Sequence, residues 1–157
     1  MFKFGTIGAF KQVRNNPRYI AAVDLVNGLV VIPNDATEVQ ALPADVAAAK
    51  LGEWVVGNII DKPEIRNKVD FKVEAGEFVR AFYLPDLKEL PVEIDASVVE
   101  TAYASVAVGD VLVPNAVNGK WVKADGTTID ADDYAVGLKV LEKSTFGGQG
   151  LYCKVQA

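Results

Sequence analysis

The longest apolar runs of this chain are only four to six residues, such as residues 29–33, and they are closed by glycine, proline or polar residues. Runs that short fit strands crossing a sheet and cannot make a long buried helix. They also fall far below the roughly 20 apolar residues that a membrane-spanning helix needs. Valine, isoleucine, tyrosine, phenylalanine and threonine recur within the runs, and glycine and proline recur between them. A mainly β fold is therefore expected, built as small barrel- or tulip-like units. No basic-then-apolar leader precedes the first run, so a signal peptide is not expected.

The plainest turn signals are two Asn-Gly pairs. Asn27-Gly28 separates residues 21–26 from residues 29–32, and Asn118-Gly119 separates residues 110–117 from residues 120–123. Asn-Gly tolerates the positive φ that a type I′ turn requires at both central positions, so each pair predicts a hairpin. Further strands are expected over 53–60, 70–73, 77–84, 134–141 and 151–155. Helical signal is confined to residues 43–51, where Pro43, Asp45 and an alanine run precede Gly52. Residues 96–104 suit a helix or a strand equally. Residues 85–91, fenced by Pro85 and Pro91, read as a connector. They divide a first β unit, 14–84, from a second, 92–157, and the two could still pack as one domain. Residues 1–13 then stand apart as a possible N-terminal arm.

The two halves share an order of motifs. Val26-Asn27-Gly28, Trp54-Val55-Val56-Gly57 and Gly76-Glu77-Phe78-Val79-Arg80 are echoed by Val117-Asn118-Gly119, Tyr134-Ala135-Val136-Gly137 and Gly150-Leu151-Tyr152-Cys153-Lys154. The offsets, taken at Asn27 and Asn118, Gly57 and Gly137, and Gly76 and Gly150, are 91, 80 and 74 residues. Drifting offsets are compatible with a duplication carrying loop insertions, and equally with chance reuse of turn residues.

Residue counts narrow the chemistry. With no histidine, the Ser-His-Asp triad, Cys-His pairs and the HExxH zinc helix are all excluded. The single cysteine, Cys153, can form neither an internal disulfide nor a multi-thiolate metal site, and its apolar setting reads as a packed strand residue. Sixteen basic against 21 acidic side chains leave a net charge of −5, which disfavours nonspecific nucleic-acid binding. Asp125, Asp130, Asp132 and Asp133 cluster around Gly126-Thr127-Thr128. They read either as a cation loop or as a solvated turn, and the spacing lacks the EF-hand pattern. Residues 146–150 are glycine-rich without the Lys-Ser/Thr pair of a phosphate cradle. Lys11, Arg14 and Arg18 form a basic stretch suited to an acidic partner or to solvent. Trp54, Trp121 and Tyr134 take core positions by default. No enzymatic activity, cofactor or metal is expected.

One stretch carries a family resemblance. Val106-Ala107-Val108-Gly109-Asp110-Val111-Leu112-Val113 leads to Asn118-Gly119-Lys120-Trp121-Val122-Lys123-Ala124, then to Tyr134-Ala135-Val136-Gly137, Glu142 and a final strand from Gly150. Over about the last 55 residues this order resembles the decoration, or head cement, proteins of tailed bacteriophages. The resemblance implies a compact β fold on the outer capsid surface, stabilising the shell. The implied partner is the major capsid protein, with a possible homo-oligomer on the lattice and neither nucleic acid nor membrane. It implies a place in the virion after synthesis in the host cytoplasm, and no catalytic residue.

Two alternatives stand beside it. One is another phage virion component, such as a head fibre base, collar or tail protein. The other is a carbohydrate-binding β module using Trp54, Trp121 and Tyr83 as stacking platforms. For the capsid reading, the candidate contact is the arm, with Phe2, Phe4, Ile7 and Phe10 as its apolar anchors. The competing reading makes the same segment the domain's first strand.

Overall fold

The computed structural model describes residues 1–5, 13–60, 70–145 and 147–157. In chain order the first strands are β1 (Phe2–Phe4), β2 (Asn15–Asn16), β3 (Ile20–Ala21), β4 (Val30–Asn34), β5 (Val39–Ala41) and β6 (Trp54–Val56). They continue as β7 (Ala81–Tyr83), β8 (Pro91–Asp95), β9 (Val111–Pro114), β10 (Trp121–Lys123), β11 (Gly137–Thr145) and β12 (Gly150–Gln156). The fold is mainly β, as expected. The strands form two six-stranded sheets, ordered β1-β8-β12-β11-β9-β10 and β2-β7-β6-β4-β5-β3.

Among the described residues neither sheet closes, so no closed barrel forms. Only single-residue bridges extend the ends: Ile20 meets Phe78, and Trp121 meets Val99. Closure needs a continuous ladder between the end strands. β3 has only two residues, and 3₁₀ turns at Ala96–Val98 and Tyr103–Ser105 interrupt the segment facing β10. Those turns also answer the ambiguity over residues 96–104, which form 3₁₀ turns rather than an α-helix or a strand.

Residues 15–83 supply one sheet, and residues 91–156 supply five strands of the other. Between them lies a 3₁₀ turn, Leu84–Leu87, started by Pro85. The sixth strand of the second-half sheet is β1, so the chain begins in one sheet and crosses to the other. Buried residues from both sheets form one hydrophobic cluster, from Leu25, Val30 and Val55 through to Leu112, Leu138 and Leu151.

Helix α1 covers only Val46–Lys50, with Asp45 accepting the Ala48 N–H at its N-terminus. Of the expected strands, residues 70–73 supply a single bridge, Val73 with Leu25. The stretch 77–84 is a named strand only at β7. Around Asn118-Gly119 a hairpin does form, with Trp121 opposite Pro114 and the Asn115 N–H on the Lys120 carbonyl. Asn27-Gly28 makes a turn but no hairpin. Leu25 bridges Val73, whereas β4 pairs with β5 and β6. The expected hairpin fails because each flank finds a longer-range partner.

Instead, the two Asn-Gly turns meet each other. The Val30 N–H donates to the Gly119 carbonyl at 2.7 Å, and the Trp121 indole N–H donates to the Gly28 carbonyl at 2.9 Å. Gly28 sits at φ 103° and Gly119 at φ 64°, in the left-handed region glycine tolerates. At Gly119 the close approach is decisive: a Cβ would lie 2.3 Å from the Val30 oxygen. The paired motifs of the two halves have partly parallel roles. Val56 pairs with Ala81 and Gly137 with Gln156, but Gly150 opens a seven-residue strand while Gly76 sits in a turn at φ 86°.

One core position is polar without compensation. Gln40, on β5, is fully buried, and neither amide atom has a hydrogen-bond partner among the described residues. Burying such a group costs roughly 1–3 kcal/mol. Gln40→Met keeps a similar length without the amide, so it is expected to raise the urea midpoint, with a gain of about 1–2 kcal/mol. An unchanged or lower midpoint would show that the amide is satisfied in solution.

Candidate functional site

Phe78 bridges Ile20, Ala81–Tyr83 form β7, and burial alternates from residue 78 to residue 82. Val79 and Ala81 are fully buried, Phe78 is 69% exposed, and Arg80 and Phe82 are half-buried. Period-two geometry therefore puts Phe78, Arg80 and Phe82 on one outward face. Phe4 meets Phe82 edge-on with ring centroids 5.0 Å apart, and Phe2 meets Phe4 at 5.4 Å. Gly57 leaves room for this packing, since a Cβ there would lie 2.7 Å from the Phe82 ring. The result is a groove of about 480 Å³ whose lining includes Phe2, Phe4, Phe82, Ile59, Asn58 and Arg80.

Its far rim is held by a side-chain clasp. Asn27 accepts the Asn58 N–H at 2.8 Å and donates to the Asn58 carbonyl at 2.9 Å, while the Asn58 side chain accepts the Arg80 N–H at 2.6 Å. Ile59, next in the chain, is left 70% exposed. A second depression is lined by Pro17, Arg18, Glu38 and Phe78.

The expected arm is placed differently at its described end. Phe2–Phe4 pair with β8, Phe2 opposite Ile94 and Phe4 opposite Val92, and Phe2 is only 8% exposed. Two phenylalanines at i and i+2 face the same side of a strand, and here that side meets the chain's own β7. Residues 2–4 are therefore a strand of the domain. Ile7, Phe10 and Lys11 lie outside the described residues.

Other residues singled out in the sequence prove structural. Trp121 is fully buried, so it offers no stacking platform to a sugar. Trp54 packs against the core and tilts on Tyr83 at 5.2 Å. The Arg14 guanidinium lies 3.9 Å over the Tyr83 ring and forks onto Asp86 at 2.9 Å, which covers the other proposed platform. Tyr134 is half-buried rather than a core residue. Burial pushes the Cys153 thiol up to about 12, so it stays protonated and inert. Residues 147–149 form the turn between β11 and β12, as a hairpin loop should.

The acidic cluster is a turn. A single Asp125 oxygen accepts the N–H groups of Thr127, Thr128 and Ile129 at 2.8, 2.8 and 2.9 Å. Asp130 accepts the Asp132 N–H, and Asp133 pairs with Lys50 at 2.7 Å. Among the described residues no group of three or more acidic or cysteine side chains is placed to hold a metal ion. The backbone donors, that of Ile129 foremost, hold the Asp125 carboxyl at about 2. Since this is below an exposed aspartate, the charged form favours the fold. Its contribution is complete above about pH 4 and is lost as pH falls towards 2. Amide exchange at Thr127, Thr128 and Ile129 is therefore expected to accelerate in that window. Asp125→Ala should show the fast exchange at every pH, and added Ca²⁺ should leave the melting temperature unchanged.

Some cations are paired and others are not: Lys88, Lys139 and Lys143 form no ion pair with any described residue. Lys3, Lys50, Lys72, Lys120, Lys123 and Lys154 each meet a carboxylate. Arg18 and Arg80 form no ion pair with any described residue. Sequence reasoning named Arg18 but missed Phe78, Arg80, Phe82 and Ile59. The available signal was the alternation Phe78-x-Arg80-x-Phe82, whose intervening Val79 and Ala81 mark the inward side. No helix among the described residues is long and apolar enough to cross a membrane. Comparison with family models, curated proteins and solved structures finds no match to this chain.

Proposed function

We propose that this protein is a virion structural component, a decoration protein that binds the outer surface of a tailed-phage capsid and stabilises it without catalysis. The observation that supports the reading is the exposed apolar face of Phe78 and Ile59 beside the Phe2–Phe4–Phe82 groove. Contiguous apolar surface bounded by polar groups is characteristic of protein docking rather than of solvent-facing surface. The groove is open and apolar, suited to a segment of another protein. The motif order of residues 106–155 adds the family expectation. In this reading the partner is the major capsid protein, no cofactor is needed, and the two sheets share one core suited to bracing a shell.

A cement protein acts by mass action, because anything that binds one assembled state stabilises that state. Heads assembled without the protein are expected to lose integrity at lower temperature, and purified protein added back should restore them. Co-sedimentation with heads should be lost in Ile59→Asp and Phe78→Asp variants that keep the wild-type melting temperature. Protein that neither sediments with heads nor changes their stability would sink the reading and favour a tail, collar or fibre role.

A further inference from the structure

We infer that the face carrying Phe78, Arg80 and Phe82 is a docking track for an extended partner segment in which carboxylate and large apolar side chains alternate. This deepens the cement reading by naming the chemistry of the capsid segment, and it rests on that reading for the partner's source.

Spacing is the first argument. Side chains of alternate residues in an extended chain stand about 6.6 Å apart, so Phe78, Arg80 and Phe82 present apolar, cationic and apolar groups at that interval. An extended segment laid along them has the same interval. It would put an apolar side chain into the groove at Phe82 and Phe4, a carboxylate at Arg80, and a second apolar side chain against Phe78. A second carboxylate would then reach Arg18, beside Phe78 in the neighbouring depression.

The backbone decides how the segment is read. The Val79 N–H donates to the Tyr19 carbonyl and the Gly57 N–H to the Arg80 carbonyl, both at 2.9 Å, while the Arg80 N–H is taken by Asn58. No sheet edge is offered at this point, so a partner is recognised through side chains rather than by adding a strand. Charge supplies the sign. In a chain of net charge −5, Arg18 and Arg80 are left without an ion-pair partner among the described residues. Glu38 lines the depression with Arg18 without closing an ion pair to it. An arginine forks onto a carboxylate with two parallel hydrogen bonds, and a neighbouring aromatic surface shields that contact from water.

The test uses the full chain and a synthetic probe, the blocked heptapeptide Phe-Ser-Asp-Ser-Phe-Ser-Asp, with the Asp-to-Asn peptide as control. Titration followed by NMR should move the Ile59, Phe78 and Arg80 signals. The control peptide and the R80Q variant should each bind at least about fivefold more weakly, as expected for loss of a paired charge. The double variant R18Q/R80Q should abolish the difference between the two peptides. F78S, at an exposed position, gives a second variant should R80Q disturb the fold, and it should weaken both peptides alike. Equal binding of the two peptides to the wild type would overturn the inference. So would wild-type head binding that is unchanged in R18Q/R80Q, and in that case the cement reading survives. Peptide selectivity without any head binding would support the track and remove the cement reading instead. Concentration-dependent self-association lost in R18Q/R80Q would assign the track to a second copy of this chain and overturn the proposed occupant.

Discussion

Trp121→Ala is expected to be among the most damaging single substitutions in this protein, with a loss of about 3–5 kcal/mol. The side chain is fully buried where the two sheets meet, and its indole N–H is the donor for the Gly28 carbonyl. Truncation removes the ring, opens a cavity in the common core and leaves that carbonyl without its donor. A domain of this size has only about 5–15 kcal/mol of stability in total, so the loss takes a large share of it. Trp121→Phe separates the two contributions. It retains most of the packing but loses the hydrogen bond and part of the ring volume, and a cost of about 1–3 kcal/mol is expected. Urea denaturation followed by circular dichroism measures both. A Trp121→Ala midpoint within error of the wild type would mean that the sheets do not depend on this junction.

The same junction shows why the sequence was only partly readable. Asn27-Gly28 and Asn118-Gly119 both announce a turn, and both glycines do take positive φ. A local signal specifies the turn but not the partner of the strand that leaves it. β9 and β10 find each other across residues 115–120, whereas β4 turns to β6 and lends its Val30 N–H to Gly119 of the other half. Burial patterns were legible at Cys153 and Trp121 because surrounding apolar residues leave few alternatives. The docking face was not, since Phe78 and Ile59 look like core residues until the fold shows which side of each strand is covered. Asp125 illustrates the reverse problem. Four aspartates in nine residues suggest a cation site by composition, but turns consume carboxylate oxygens through backbone donors that no side-chain spacing reveals.

Phe2 and its strand should likewise be indispensable to the fold before they are to any partner. Phe2→Ala is expected to cost about 3–5 kcal/mol, the range for a buried phenylalanine. At about 2–4 °C per kcal/mol for a domain of this size, the melting temperature should fall by roughly 6–20 °C. Phe4→Ala should cost less, because Phe4 is only half-buried, but it removes the ring that Phe82 packs against at 5.0 Å. Deleting residues 1–5 goes further. It strips β1 from β8, frees the Pro91 carbonyl and the Asp95 N–H now bonded to Gly5 and Met1, and bares a five-residue sheet edge. An uncovered edge of that kind invites pairing between chains, so aggregation should accompany the lower melting temperature. The arm reading expects the opposite, a deleted chain that melts as the wild type does and loses only its partner. Calorimetry and light scattering on the deletion variant separate the two. An unchanged melting temperature with no aggregation would return residues 1–5 to the role of a free arm and remove β1 from the account of the groove.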